Sequence, residues 1–231
     1  MNPSNATATA TATATPTTTP IPPAVISVVD HELPDDTHNL YDITFDSHTI
    51  RTLVTSFPSF VDSWLTETLN PNPSASFLVG LDIEWRPNLQ RNADHRVATL
   101  QLCIGLRCLV FQIFHAPSIP ASLFNFLANP NHTFVGVGIA EDAEKLLLDY
   151  DLGVANTVDL RTVAADVMSD PALKNAGIRT LAQRVMGRDV AKPRRITMSK
   201  WDNLWLVADQ VQYAAVDAFV SSQIGLTLFQ K

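Results

Sequence analysis

The sequence contains only two cysteines, no long hydrophobic run and fewer basic than acidic residues. Cys103 and Cys108 flank a turn-like Ile-Gly-Leu-Arg segment, and no secretory hydrophobic segment precedes them. We therefore expect two reduced, buried thiols in an intracellular protein of the nucleus or cytoplasm, with a disulfide across a hairpin as the alternative. A membrane helix needs about 18 or more consecutive apolar residues, so the sequence predicts no membrane contact.

The charge of the chain is unevenly distributed. Sixteen Lys and Arg against 23 Asp and Glu give a net charge of −7, which argues against a polyanionic partner. However, eight of the sixteen basic residues lie between Lys174 and Lys200, where Asp189 is the only acid, so this basic segment carries +7 and the remainder −14. The segment predicts a surface that follows a phosphate backbone, and a solvated Arg-rich loop is the alternative. Its candidate phosphate contacts are Arg194, Arg195 and Lys200.

The first 29 residues are rich in Ala, Thr and Pro and contain no charged side chain. Such a composition cannot form a packed core, so we predict a disordered tail over residues 1–38. A plastid transit peptide is the alternative, although the Arg and amphipathic pattern of such peptides are missing. The remaining residues, 39–231, are enough for one domain of ordinary size.

Periodicity and turn residues predict an α/β order in the domain. A β-hairpin is expected over residues 40–55, and a helix over 59–69 that Pro71, Asn72 and Pro73 end. Three strands joined by tight turns follow in FLVGLDIEW, VATLQLCIG and RCLVFQIF. Further on, the pattern predicts a strand over 133–138 and helices over 120–128, 141–150, 159–167, 178–186 and 208–229. This order fits a mixed sheet flanked by helices, the ribonuclease-H-like architecture.

Four carboxylates are the candidate functional residues. Asp82 and Glu84 are separated by one residue in an apolar strand, so both point to one face of the sheet. Asp142 lies at the start of a predicted helix, and Asp217 shares a helix face with Tyr213. Two carboxylates about 4 Å apart repel by roughly 4 kcal/mol at an effective dielectric near 20, so a group of four needs cations. Hard oxygen ligands favour Mg²⁺ or Mn²⁺ over zinc.

Other interpretations of these residues are a structural role and two different functions. Asp142 alone could be a helix N-terminal acid, and Asp82 a strand-end residue. Gly136-Val137-Gly138 between strand and helix suggests a dinucleotide-binding module, but Glu141 stands where that fingerprint needs Gly or Ala. A catalytically silent nucleic-acid-binding or protein scaffold on the same fold is a third class.

The order and context of the motifs carry a resemblance to a family. LDIEW, VATLQLC, GVGIAEDAEKLL, SKWDN and DQVQYAAVDAF resemble the Werner-type 3′-5′ exonuclease domain of the DEDD superfamily, in the subtype with Tyr in the third motif. The resemblance covers about residues 39–231. It implies a metal-dependent nuclease that removes nucleotides from the 3′ ends of single-stranded RNA or DNA, with a partner or self-association left open for processivity.

The resemblance also implies roles for individual residues. Asp82, Glu84 and Asp217 would hold the metal ion on the nucleophile side, and Asp82 and Asp142 a second ion. Tyr213 would orient the attacking water, because a Tyr with a pKa near 10 is a poor base at neutral pH. Trp85 is a candidate for packing near the terminal nucleotide, with a core role as the alternative. We interpret Trp201 as structural.

Overall fold

A computed structural model of the protein describes residues 20–70, 75–87 and 94–230. These residues contain one mixed sheet of eight strands, in the spatial order β1-β2-β3-β6-β5-β4-β7-β8. The strands are β1 (Ile26–Asp30), β2 (His38–Phe45), β3 (His48–Thr55), β4 (Leu78–Trp85), β5 (Val97–Ile104), β6 (Arg107–Phe111), β7 (Thr133–Gly136) and β8 (Thr157–Asp159). The pairs β3–β6, β4–β7 and β7–β8 are parallel, and the other pairs are antiparallel.

Helices cover both faces of the sheet. They are α1 (Pro58–Leu69), α2 (Ala121–Leu127), α3 (Ile139–Tyr150), α4 (Leu160–Val167), α5 (Ile178–Leu181), α6 (Arg194–Thr197) and α7 (Ala208–Phe229). The helices α1, α2 and α3 pack on one face, where Leu81 and Ile83 of β4 are buried. The helices α4, α5 and α7 pack on the other face. This mixed sheet between helices is the ribonuclease-H-like architecture that the sequence predicts.

Most predicted elements are present. The hairpin forms from β2 and β3, and the final helix has the bounds expected for it, Ala208–Phe229. The helix predicted over 178–186 consists of α5 and a π-helical turn, Ala182–Met186. Pro71, Asn72 and Pro73, predicted to end α1, lie outside the described residues.

Three expectations need correction. Residues 26–30, assigned to the tail, form β1, which pairs along its whole length with β2, so ordered structure begins before residue 39. The third central strand ends at Phe111, and Ile113–His115 form a 3-10 turn instead. A tight turn joins β5 to β6, but residues 86–96 separate β4 from β5. The short edge strand β8 was not predicted at all.

The two cysteines behave as the sequence predicts. Cys103 and Cys108 are opposite each other on β5 and β6, and both are buried free thiols. Burial raises the pKa of the Cys108 thiol well above its usual value. No helix of the described residues is long and apolar enough to cross a membrane.

A close contact between α7 and β4 determines where the C-terminal helix lies. A Cβ atom on Gly80 would stand 1.9 Å from the carbonyl oxygen of Ala218, far inside van der Waals distance. A Cβ on Gly225 of α7 would lie 3.1 Å from the side chain of Leu78, which is two residues before Gly80 on β4. The absence of a side chain at Gly80 therefore lets the helix backbone lie directly on the strand.

We expect Gly80→Ala to lower the free energy of unfolding by about 1–3 kcal/mol, because the added methyl group forces the helix away from the strand. Urea denaturation of both proteins measures the difference. Gly153→Ala is the matched control, since a Cβ there meets nothing within 4 Å. Equal stability of the two variants would contradict the role of this contact.

Candidate active site

Strand β4 presents two of the predicted acids to the face covered by α7. Side chains alternate along a strand, so Gly80, Asp82 and Glu84 share one face while Leu81 and Ile83 enter the core on the other. Asp82 pairs with Gln101 on β5 and is therefore central in the sheet. Both side chains are partly buried at this position.

Helix α7 brings the second pair of predicted residues to the same place. Asp217 is one residue before Ala218, whose carbonyl contacts the position of Gly80, and its side chain is only 5% exposed. Tyr213 lies one helical turn earlier and is 7% exposed. Its ring packs against Trp201, at a centroid distance of 5.9 Å. The fully buried Trp201 has the structural position that the sequence predicts.

Asp142 lies in the first turn of α3, which begins shortly after the C-terminal end of β7. A Cβ on Gly136 would approach the carbonyl oxygen of Leu81 to 2.8 Å, and Gly138 has a left-handed φ of 78°. Close packing against β4 therefore accounts for Gly136, and the left-handed turn accounts for Gly138. The dinucleotide-binding interpretation has no support from this geometry.

Burial and mutual repulsion shift the ionisation of the strand acids. Burial first, and then the charges of Asp217 and Asp142, raise the pKa of Asp82 well above its usual value. Burial, Asp82 and Asp217 raise the pKa of Glu84 in the same way. These mutual effects place the carboxylates of β4, α3 and α7 within electrostatic reach of one another.

Asp142 and Tyr213 are shifted for related reasons. Burial, followed by the charges of Glu141 and Asp159, raises the pKa of Asp142 to about 7. Burial, followed by the charges of Asp217 and Glu84, raises the pKa of Tyr213 well above that of a free tyrosine. The Tyr213 hydroxyl is therefore protonated at neutral pH and can donate a hydrogen bond.

Lys192 is the basic residue that forms an ion pair with one of these acids in the described part of the chain. Its Nζ lies 2.7 Å from Oδ2 of Asp217 and 5.2 Å from the centroid of the Tyr213 ring. Burial disfavours the charge on this ammonium group, but Asp217, Asp82 and Glu84 outweigh it, so the pKa of Lys192 is raised. The sequence placed Lys192 in the basic segment but gave no reason to select it, because neither a motif nor a periodic element contains it.

A cavity of about 190 Å³ opens between these groups, and Asp82, Lys192, Asp217 and Ser221 line it. Oδ2 of Asp82 is buried and has no hydrogen-bond partner among the described residues. A buried carboxylate oxygen without a partner and a donor set made only of carboxylates fit a hard divalent ion such as Mg²⁺ or Mn²⁺. Within the described ranges, no three His, Cys, Asp or Glu side chains are already grouped at the spacing of a metal site.

The predicted nucleic-acid contacts lie outside this cluster. Trp85 is partly buried against the core on the α3 side, and Nζ of Lys145 lies 5.7 Å from its ring centroid, which favours the core role. Arg195 lines a small cavity together with Tyr213 and Asp217, and it pairs with Asp209 at 2.7 Å. Arg194 and Lys200 are exposed at the surface.

Ion pairs neutralise most of the basic segment. Five of its eight basic residues contact an acid, and these pairs are Arg179–Asp189, Arg184–Asp170, Arg188–Asp46, Lys192–Asp217 and Arg195–Asp209. The pairing supports part of the alternative interpretation, an Arg-rich segment with structural roles. Arg194 and Lys200 form no ion pair within the described part of the chain, so their charges face solvent.

Comparison with known proteins identifies the family of the chain. The family model described as "3'-5' exonuclease" matches residues 59–231, which include β4, α3 and α7. The chain belongs to the 3′-5′ exonuclease family.

Curated members of the family are similar to the chain over most of its length. It is 33% identical over 180 residues to the mouse "Bifunctional 3'-5' exonuclease/ATP-dependent helicase WRN", which is 78% of this chain and 12% of that protein. It is 36% identical over 145 residues to an Arabidopsis thaliana "3'-5' exonuclease", or 62% of this chain and 49% of that protein. The chain thus spans half or less of the length of these relatives.

A solved structure with a related sequence is an "EXD2 exonuclease domain soaked in Mn". It is 27% identical to this exonuclease, with a TM-score of 0.44, and the match covers 78% of this chain and 89% of that chain. The human "Exonuclease 3'-5' domain-containing protein 2" is 35% identical over 157 residues, 65% of this chain and 25% of that protein.

The raised pKa of Asp142 predicts how the stability of the protein depends on pH when no metal is added. The unfolded chain releases this proton near pH 3.8, whereas the folded protein keeps it up to about pH 7. Between these values the folded state binds more protons, so a rise in pH favours unfolding. We expect the melting temperature in EDTA to fall from pH 4 to pH 7, and to fall less in Asp142→Asn.

The control for this experiment is Asp166→Asn, which changes an exposed acid on α4. Its melting temperature should follow the pH dependence of the unmodified protein. If Asp142→Asn also kept the full dependence, the shift would belong to other groups.

Proposed function

We propose that the protein is a divalent-metal-dependent 3′-5′ exonuclease that hydrolyses phosphodiester bonds of RNA or DNA from the 3′ end. The observation that carries this proposal is that acids of β4, α3 and α7 lie within electrostatic reach of one another, beside the buried, unpartnered Oδ2 of Asp82. Acids held together against their repulsion make the metal-free site unfavourable, and bound cations would relieve it. Membership in the exonuclease family supports the same chemistry.

The roles of the acids follow from their positions. Asp82 lies centrally on β4 and interacts with both Asp217 and Asp142, so it would share two Mg²⁺ or Mn²⁺ ions between them. Glu84 and Asp217 would complete the set for the first ion, and Asp142 would help to hold the second. Two such ions supply an activated water and stabilise the charge on the leaving oxygen.

Tyr213 positions the water rather than deprotonating it. Its buried hydroxyl lies beside Asp217, and the raised pKa keeps its proton in place at neutral pH. A protonated hydroxyl donates a hydrogen bond in a fixed direction, which orients a nucleophile but does not activate it. The ring also packs against the buried Trp201.

The substrate would reach the acids past the N-terminal end of α7. Arg194 and Arg195 lie on α6, and Arg195 shares a cavity with Tyr213 and Asp217. Exposed guanidinium groups next to the site can contact phosphates of a nucleic acid without reading its sequence. Single-stranded 3′ ends of RNA or DNA are therefore the proposed substrates, with Trp85 as a further contact to test.

The test uses 5′-labelled single-stranded RNA, single-stranded DNA and recessed duplex, each with Mg²⁺, Mn²⁺ or EDTA. We expect shortened products with metal and none in EDTA, and the substrate panel distinguishes RNA from DNA. Asp82→Asn should reduce the rate by more than about a hundredfold, because even outer-shell partners of a metal account for about 10–100-fold. Its melting temperature in EDTA should not fall, since the change removes a buried charge.

The matched control is Asp166→Asn, which should retain full activity. Absence of products on all three substrates with either metal would contradict the enzyme proposal and favour a catalytically silent scaffold. An inactive Asp82→Asn that is also unfolded would leave the assignment to be decided by Asp217→Asn under the same conditions.

Phosphate contact by α6 has a separate signature in the salt dependence of binding. In the Asp82→Asn background, where substrate is not degraded, Arg194→Gln should lower the slope of log K against log salt concentration by about 1. Fluorescence anisotropy with labelled single strands measures the slope. Arg51→Gln is the control, since Arg51 is an exposed residue of β3 beside Trp64 on the α1 face. Equal slopes for both variants would remove Arg194 from the substrate path.

A further inference from the structure

We propose that Lys192 is the internal counter-ion of the metal-free site and that a divalent ion displaces its ammonium group from Asp217. The inference rests on the metal site of the proposed function. It concerns a different residue, one that would bind neither the metal ion nor the nucleophile. Lys192 would set how tightly the acids hold a metal ion.

The ammonium group of Lys192 lies at the carboxylate of Asp217. Nζ of Lys192 contacts Oδ2 of Asp217 at 2.7 Å and lies over the ring of Tyr213, while its stem lines the same cavity as Asp82. Asp82, Glu84, Asp142 and Asp217 make one ion pair among the described residues, and that pair is the one with Lys192. Lys192 is thus the cation that pairs directly with this group in the described part of the chain, while Arg179 lines the same cavity and Arg161 acts on Asp142 from a distance.

Lys192 also acts electrostatically on the acids with which it forms no ion pair. Oδ2 of Asp82 has no hydrogen-bond partner among the described residues, and the charge of Lys192 is felt at Asp82, Glu84 and Asp142 as well as at Asp217. A buried group of like charges is stable only with a cation nearby. Lys192 therefore performs in the metal-free protein the neutralisation that a metal ion would perform in the active enzyme.

The ammonium group of Lys192 and a divalent ion would exclude each other at Asp217. A divalent ion on Asp217 and an ammonium group on the same carboxylate would repel strongly in a cavity of low dielectric. Lysine carries its charge on a flexible four-carbon stem, and the Lys192 side chain is 35% exposed, so it can withdraw towards solvent. Its backbone lies in the irregular segment before α6, which imposes no helical or strand geometry on it.

The exchange predicts opposite effects on stability and on metal affinity. In EDTA, removal of the ammonium group leaves the acids without their cation and destabilises the fold. With metal, the same removal eliminates a competitor and strengthens binding. A purely structural ion pair would lower stability without strengthening metal binding, so the two explanations differ in sign.

The experiment is titration calorimetry with Mn²⁺ on the unmodified protein and on Lys192→Met, which keeps the apolar stem and removes the charge. We expect Kd for Mn²⁺ to decrease about tenfold in the variant, while its melting temperature in EDTA falls. Lys174→Met is the matched control, because Lys174 is an exposed lysine of the same basic segment with no ion pair in the described ranges. It should change neither quantity.

The Mn²⁺ titration separates the counter-ion role of Lys192 from the existence of the metal site. Absence of Mn²⁺ binding to the unmodified protein would overturn both. Normal binding there, with an unchanged or weaker affinity in Lys192→Met, would overturn the counter-ion proposal alone.

A second measurement needs no variant. Acylation of lysine amines, followed by mass spectrometry of the unmodified protein, should label Lys192 several-fold faster in saturating Mn²⁺ than in EDTA, because the ammonium group is released from Asp217. The labelling rate of Lys174 provides the reference within the same sample. Equal rates at Lys192 under both conditions would overturn the exchange.

Discussion

The contact between α7 and β4 is the constraint on which the rest of the structure depends. A Cβ on Gly80 would lie 1.9 Å from the carbonyl oxygen of Ala218, so the helix backbone takes the place of a side chain. Gly80 is two residues before Asp82 on the same face of β4, and Asp217 immediately precedes Ala218. The contact that brings the two backbones together therefore also brings the carboxylates of Asp82 and Asp217 together. Packing of the core determines the geometry of the site.

This arrangement couples stability to function. The core contact brings Asp217 to the acids of β4, and burial and repulsion raise the pKa of Asp82, Glu84 and Asp142. Each raised pKa means that folding opposes ionisation of that group. A nearby cation offsets the negative charge of these acids, and Lys192 supplies one from within the protein. A site with this excess of negative charge would be stabilised by a bound cation.

The sequence predicted the central elements well and the edge elements poorly. Strong alternation, turn residues and helical periodicity identify β2, β3, β4 and β5, and for α7 they give the bounds observed. Strand β1 is short and follows a low-complexity stretch, and its hydrogen bonds with β2 stabilise it rather than any local pattern. The three-residue β8 is similar, since it depends on its parallel pairing with β7. Edge strands of this length carry too little local information to be predicted.

The sequence by itself determined which acids share a face, because spacing within one element decides direction: two residues along a strand for Asp82 and Glu84, four along a helix for Tyr213 and Asp217. Only the tertiary structure decided which charges meet. Of the eight basic residues in the basic segment, five pair with acids that include Asp46 and Asp209, far away in the chain or on another helix. Of the eight, Lys192 is the one that pairs with a candidate site acid, Asp217, and it lies in a stretch with no regular backbone. Irregular backbone has no period, so the direction of its side chains depends on packing against the rest of the fold.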